Sequence, residues 1–380
     1  MRMIYVDNAA TTKLADEVLD KMLPFLKEQY GNASTQYSLG VTARRAVSKA
    51  REQFAIAINA QPSEIYFTSG GSESDNWAIS GVAYALKDKG NHIITSTIEH
   101  HAVLNACAAL EKQGFKISYI PVDKYGRVSP KDVYSAIRPE TTLISIMLAN
   151  NEIGTIQPIN EISEIAKFHG IILHTDAVQA IGHIPVDVNA LDVNLLSASA
   201  HKFNGPKGIG ILYKKTGTPL LPLIYGGHQE FDQRAGTENV AGIVGAGAAI
   251  EMSITTLKES ILQTTTLSNM LIKEIKSKIP KVITNGHPTQ RLPGIVSISF
   301  TGYDSESIMN ILDIKGICVS NGSACNSGTK SLSHVLLATG TSEANAIGTI
   351  RISFGKYNTI DEVEKIVNAL TFVIHRTRLE

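Results

Sequence analysis

Between about residue 60 and residue 215, short β-branched apolar runs alternate with stretches whose apolar positions recur at helical spacing. The runs Glu64–Phe67, His92–Ser96, Lys116–Ile120, Thr142–Met147, Ile171–His174, Leu195–Ser199 and Ile209–Tyr213 are expected to be strands. Helices are expected near Glu73–Lys87, Ala102–Gln113, Pro130–Ile137 and Ile159–Phe168. Apolar strands without clean alternation, separated by helices, argue for an α/β protein with a mainly parallel sheet covered on both faces. Ligands of such a sheet gather at the carboxyl ends of its strands. Ser69-Gly70, Asn150-Asn151, Asp176 and His201-Lys202 each follow a predicted strand end, so a ligand is expected there.

Around Thr237–Ser277 the pattern turns helical and leads into a second unit, in which Ile295–Phe300, Cys318–Ser320 and Ile350–Ser353 read as strands. A last helix is well signalled. Asn358-Thr359 can cap it, and Asp361 and Glu362 suit its first turn. Ile360, Val363, Ile366, Val367, Leu370 and Val373 form its apolar stripe, with His375 and Arg376 in the last turn.

A chain of 380 residues suits two domains. Its 35 basic side chains balance 35 acidic ones, which leaves no electrostatic footprint for nucleic acid. Three cysteines, Cys107, Cys318 and Cys325, have neither the number nor the spacing of a disulfide framework or zinc site. No apolar run has the length of a membrane span or signal segment, so a soluble cytoplasmic protein is expected.

The chemistry concentrates in Ser199-Ala200-His201-Lys202, placed between an apolar strand and the glycine-rich Gly205–Gly210 turn. A lysine fixed there by rigid backbone can be desolvated into a nucleophile suited to Schiff-base formation. Asp176 closes the preceding apolar run and offers the carboxylate that a pyridinium nitrogen needs, with Gln179 in reach of a phenolic oxygen. Together these make pyridoxal 5'-phosphate (PLP) the leading cofactor. Ser69-Gly70-Gly71-Ser72 leaves a strand and opens a helix, where backbone N–H groups and a hydroxyl can meet a phosphate. Ser199, His201 and Thr237 are further phosphate candidates.

His100, at a strand-to-helix junction, is placed to stack on a cofactor ring and to take part in catalysis by proton transfer. Cys107 and Cys318 read as core, whereas Cys325 lies in the small polar run Asn321–Gly328 and is the nucleophile candidate. Arg351, a charge inside an apolar strand, either pairs with an internal carboxylate or forks onto a substrate carboxylate; the second is favoured.

This set resembles the cysteine desulfurases, a branch of the class-V aminotransferases, nearly end to end. The likeness is carried by Tyr5–Thr12, Asn150–Gly154, the Lys202 motif, Arg234–Thr237, Gly322–Cys325 and Arg351–Ser353. It implies the fold-type I PLP architecture: a large domain over 15–255 with a mainly parallel seven-stranded sheet, and a smaller α+β domain from 1–14 and 256–380. It further implies PLP held as a Schiff base on Lys202, His100 on the ring, and Asp176 and Gln179 at its nitrogen and phenolic oxygen. Gly71, Ser72, Ser199 and His201 would hold the phosphate, with Thr237 lent by the second subunit of a homodimer. Asn151 and Arg351 would hold substrate and cofactor in register, and Cys325 would take the sulfur of L-cysteine as a persulfide, releasing alanine. The length from Cys325 to Ser333-His334 matches the longer-loop branch, which passes sulfur to a scaffold or carrier for iron–sulfur clusters or tRNA thiolation. No stable metal site is implied, only Cys325 as a transient iron–sulfur ligand.

Several positions depart from the family pattern: Ala33, Tyr37, Gly71-Ser72 in place of alanine-threonine, Phe231, Asp232, Asn321 and Leu332. The competing readings are a selenocysteine lyase or cysteine-sulfinate desulfinase on the same scaffold, and a non-catalytic PLP-binding scaffold. A plain aminotransferase leaves the Cys325 segment without a role.

Overall fold

The computed structural model describes residues 3–321 and 332–376, with side chains through Ile374. A short first strand, β1 (Ile4–Tyr5), precedes seven strands that share one sheet. These are β2 (Ile65–Thr68), β3 (His92–Ser96), β4 (Lys116–Ile120), β5 (Thr141–Ser145), β6 (Ile172–Asp176), β7 (Leu195–Ser199) and β8 (Gly210–Lys214). Their order is β2-β8-β7-β6-β5-β3-β4. Only β8 is reversed, antiparallel to both β2 and β7, and every other pairing is parallel.

Successive residues of these strands enter opposite cores, as the pleat requires. Tyr66, Ile93, Leu143, Leu195 and Leu212 pack with Trp77, Ile79 and Val82 of the Gly71–Ala85 helix on one face. Their neighbours Phe67, Ile94, Ile144, Leu196 and Ile211 pack with Phe54 of the Ser38–Ile58 helix and Ile243 and Ile250 of the Val240–Thr255 helix on the other. Two-sided burial is why the central strands read as continuous apolar runs.

The remaining strands are β9 (Val282–Asn285), β10 (Ile295–Phe300), β11 (Ile317–Cys318) and β12 (Thr349–Ser353). β12, β10 and β9 form an antiparallel sheet, while β11 pairs parallel with β1. Ile4 and Val6 enter a separate core with Leu271, Ile298, Ile352 and the Val363, Ile366 and Leu370 stripe of the Ile360–Arg376 helix. The start of the chain is thereby sewn to its last third, and residues 7–12 are carried past the carboxyl ends of the central strands. Among the described residues no single helix is long and apolar enough to cross a membrane.

Side-chain bonds explain where element ends differ from expectation. Glu64 sits in a 3-10 turn, not in β2, because its carboxylate takes the N–H of Gln61 (3.0 Å) and of Thr216 (2.8 Å). Ile146 and Met147 lie beyond β5, and the Met147 N–H turns to the Glu99 carboxylate at 3.0 Å. β6 runs on to include Asp176, which is followed by a turn rather than a helix. The helix expected from Glu73 begins at Gly71, and the one expected from Ala102 begins at His101 with His100 as its cap. Cys318 is half-buried rather than core, whereas Cys107 is fully buried. The last helix is closed by Glu362, which accepts from the Thr359 N–H at 3.2 Å. Asn358 instead accepts from the Gly355 N–H and donates to the carbonyl of Tyr5.

Candidate active site

A cavity of 370 Å³ opens at the carboxyl ends of the parallel strands. Lys202 ends the 3-10 turn that follows β7, and its Nζ donates to the carbonyls of Ala9 (2.7 Å) and Ala10 (2.8 Å). His183 Nε2 meets the Lys202 carbonyl at 2.9 Å, so both the backbone and the amine of the lysine are fixed. Gln179 reaches the same Ala9 carbonyl through its amide at 2.9 Å.

Asp176, at the tip of β6, accepts the Val178 N–H at 2.9 Å. Burial pushes its carboxyl up to about 6, against the pull of the Val178 bond and the Lys202 charge, which leaves it ionised at neutral pH. His100 accepts the Ala102 N–H on Nδ1 at 3.1 Å, so a neutral ring carries its proton on Nε2. Burial and the charges of Lys202 and His101 push it down to about 4, so the ring is neutral. His201 meets Thr11 Oγ1 at 3.1 Å and is likewise pushed down to about 4 by burial, then by Lys202.

Gly71 and Ser72 open the Gly71–Ala85 helix at the cavity wall, where unpaired N–H groups and the helix dipole favour an anion. A Cβ on Gly71 would sit 2.7 Å from Val178 Cγ2, so a larger residue there would require Val178 to shift. Ser199 and Asn151 also line the cavity. Arg351 lines it while donating to Asp7 (2.8 Å) and to the Asn151 carbonyl (2.9 Å). Asp7 is the internal carboxylate of the less favoured reading. Arg351 Nε is buried without a partner among the described residues. Thr237 is exposed and does not line the cavity, and Cys325 lies outside the described residues.

Sequence reasoning missed the acids beneath this site. Asp75, 1% exposed, lines the cavity floor, with Oδ1 unpartnered and 3.7 Å from His174 Nε2. Burial first, then the Asp176 charge, push its carboxyl well above the usual range. His174 bridges Ser145 (2.9 Å) and Ser197 (3.0 Å), and burial pushes it down to about 3, so it is neutral. Glu99 is pushed up to about 8, and Glu152, bonded to Ser333, to about 7, in both cases chiefly by burial. A signal for Asp75 was present. It falls in helical register with Ala78, Ile79 and Val82, on the face that had to be buried.

Among the departures, Phe231 stacks edge-on against Tyr66 at 5.9 Å, and Asp232 holds His228 at 2.5 Å. Ala33 is buried, Tyr37 exposed, and Leu332 packs beside Ile98 and Val335.

A half-buried lysine, a buried aspartate, a neutral histidine and a helix N-terminus are gathered at the strand ends of a doubly wound sheet of the fold-type I class. The class-V aminotransferase family model matches residues 4–366, and the chain belongs to that family, in its cysteine desulfurase branch. A cysteine desulfurase IscS of Methanosarcina thermophila is 52% identical over 377 residues, covering 99% of this chain and 93% of that relative. A solved NifS-like protein superposes with a TM-score of 0.93 at 39% identity, covering 98% of this chain and 99% of its own. A structure described as SspA in complex with cysteine gives 0.83 at 38% identity, over 94% of this chain and 100% of its own.

Proposed function

We propose that the protein is a PLP-dependent cysteine desulfurase that converts L-cysteine to L-alanine. Its sulfur passes first to Cys325 as a persulfide and then to an acceptor protein, for iron–sulfur assembly or tRNA thiolation. The observation that carries this reading is the convergence of Lys202, Asp176, His100 and the Gly71–Ser72 helix end on one 370 Å³ cavity. These residues fit PLP: an amine for its aldehyde, a carboxylate for its ring nitrogen, a neutral imidazole for its face and a small-residue helix end for its phosphate. Bound there, PLP supplies an electron sink for the substrate Cα.

The chain's own residues do the rest. Lys202, whose amine is held at the carbonyls of Ala9 and Ala10, would bind the cofactor aldehyde and, as the free amine, would move the substrate Cα proton. Asp176 stays anionic to keep the ring nitrogen protonated. His100, kept neutral, would stack on the ring without adding charge. Gln179 would reach the phenolic oxygen, and Ser199 and His201 would complete the phosphate contacts with Thr237 of a second copy, in a cytoplasmic homodimer. Arg351, steadied by Asp7, presents its guanidinium to the substrate carboxylate beside Asn151. Cys325, as the thiolate, would attack the substrate sulfur: the S–S bond forms as the substrate Cβ–S bond breaks, and its electron pair stays with the carbon frame, which takes up protons to leave as alanine.

The test is alanine and sulfide release from L-cysteine by PLP-loaded protein with a thiol reductant. Equal amounts over many turnovers are expected. Cys325→Ala should keep bound cofactor and lose sulfide release; full activity in that variant would overturn the persulfide route. PLP-loaded protein that makes no alanine from L-cysteine would overturn the reading itself.

A further inference from the structure

Glu230, Phe231 and Asp232 are three consecutive non-glycine residues with φ of 46°, 56° and 64°. Such a left-handed run persists only where its surroundings hold it. Arg51 grips Glu230 with both guanidinium nitrogens, at 2.8 and 2.7 Å, in a buried pair. The Phe67 N–H donates to the same carboxylate at 2.9 Å, and the Arg51 guanidinium lies between the rings of Phe67 (4.8 Å) and Phe231 (4.9 Å).

Four residues after Glu230, Arg234 donates to Glu73 from Nε (2.8 Å) and Nη2 (3.2 Å). Glu73 also takes the Ser69 N–H (2.8 Å) and hydroxyl (2.5 Å), closing the turn that leads into the Gly71–Ala85 helix. Burial pushes the Glu73 carboxyl up, but the bonds from Arg234 and Ser69 outweigh it and hold the group below its usual range. Glu73 is therefore a carboxylate in the first turn of that helix, one residue past the cavity-lining Ser72 and itself outside the lining. Left alone, its charge would oppose a phosphate.

We propose that Arg234 is a positioning residue for the cofactor phosphate: it neutralises Glu73 at the phosphate end of the cavity, and the Arg51–Glu230 latch holds it there. This rests on the PLP reading above. A purely structural pair behaves differently from a charge-setting one. Either kind of pair recovers when its second member is also removed, because the unpaired charge is the costly state. What separates them is the ligand, since a charge-setting pair acts on PLP and spares pyridoxal, which has no phosphate, whereas a structural pair affects both alike.

The experiment titrates cofactor-stripped full-length protein with PLP, and separately with pyridoxal, reading bound ligand by absorbance and fold by circular dichroism. Arg234→Met should weaken PLP by about tenfold, the scale of one helix-end charge, and leave pyridoxal within about threefold of wild type. Glu73→Gln combined with Arg234→Met should recover PLP binding to within about threefold of wild type. Equal losses for PLP and pyridoxal, or no recovery in the double variant, would overturn the proposal. Should Arg234→Met fail to fold, Glu73→Gln alone decides: PLP binding at least as tight as wild type supports the proposal, and a tenfold loss overturns it. Wild-type protein that binds no PLP would overturn the functional reading itself, whereas wild-type binding with an unaffected Arg234→Met overturns the inference alone.

Discussion

Replacing Glu99 by glutamine should make the protein more heat-stable as the pH rises. Glu99 is fully buried, accepts the Met147 N–H at 3.0 and 3.1 Å and the Ser96 hydroxyl at 2.5 Å, and so ties the end of β3 to the end of β5. Burial pushes its carboxyl from 4.5 up to about 8, with the Asp176 charge adding to the shift. A folded state that binds the proton more tightly than the unfolded chain has this stability in full below pH 4.5 and loses it as the pH rises through 8. At about 1.36 kcal/mol per unit, the loss is about 3 kcal/mol by pH 7 and about 5 kcal/mol by pH 9. Glutamine keeps an acceptor for Met147 and a donor for Ser96, and it does not ionise. Unfolding entropy for a chain of this length is about 0.8 kcal/mol per kelvin, so the variant should melt about 4 °C above wild type at pH 7 and about 6 °C above at pH 9. At pH 5 the gap should nearly close. The assay is paired thermal melts of both proteins across pH 5–9, in which groups common to both cancel. A gap that stays constant over that range, or a variant melting below wild type at pH 9, would refute the reasoning.

Arg351→Lys should raise the KM for L-cysteine about tenfold or more and lower kcat much less, because a lysine cannot span Asp7, Asn151 and a substrate carboxylate together. Steady-state kinetics with equal losses in kcat and kcat/KM would contradict a ground-state binding role. Gly71→Ala should weaken PLP about tenfold through the 2.7 Å clash with Val178, and Val178→Ala in the same chain should relieve it. Absence of that rescue would move the defect elsewhere. PLP association with stripped protein should weaken as the pH falls through about 6, where Asp176 protonates, so a flat profile from pH 7 to 5 would count against its role.

The sheet was legible because both of its faces are buried: apolar runs such as Leu195–Ser199 have no other use in a chain of this kind. The residues at strand ends were legible because the connections are short, so Asp176 and Lys202 could only emerge at one edge. What could not be read were bonds that ignore sequence distance. Glu99 sits between Ile98 and His100 and looks like a solvated charge until Met147, 48 residues away, turns its N–H onto it. The antiparallel placement of β8 was equally hidden, since a short apolar strand carries no mark of direction. Arg351 shows the limit most clearly. Its oddity in an apolar strand was plain, but that Asp7 answers it depended on β1 and Val6 joining the core that holds β12, which sets Asp7 beside Arg351.

The distribution of perturbed carboxyls separates scaffold from site. Asp192 takes Lys167 and Lys215 at 2.7 Å each, Asp187 accepts two backbone N–H groups and an amide, and Glu140 pairs with Lys116; all three are held below their usual range and lie away from the cavity. Asp75, Glu99, Glu152 and Asp176 are pushed up, and all lie in the floor of the cavity or bonded to its supports. Burying four acids at one end of a sheet is a poor way to stabilise a fold, since an apolar isostere would cost less. It is an effective way to make an environment in which the charge on Asp176 is weakly screened and few other ionised groups compete with it. Glu73 is the exception that fits: next to the cavity-lining Ser72, it is the acid held below its usual range, by the bonds from Arg234 and Ser69.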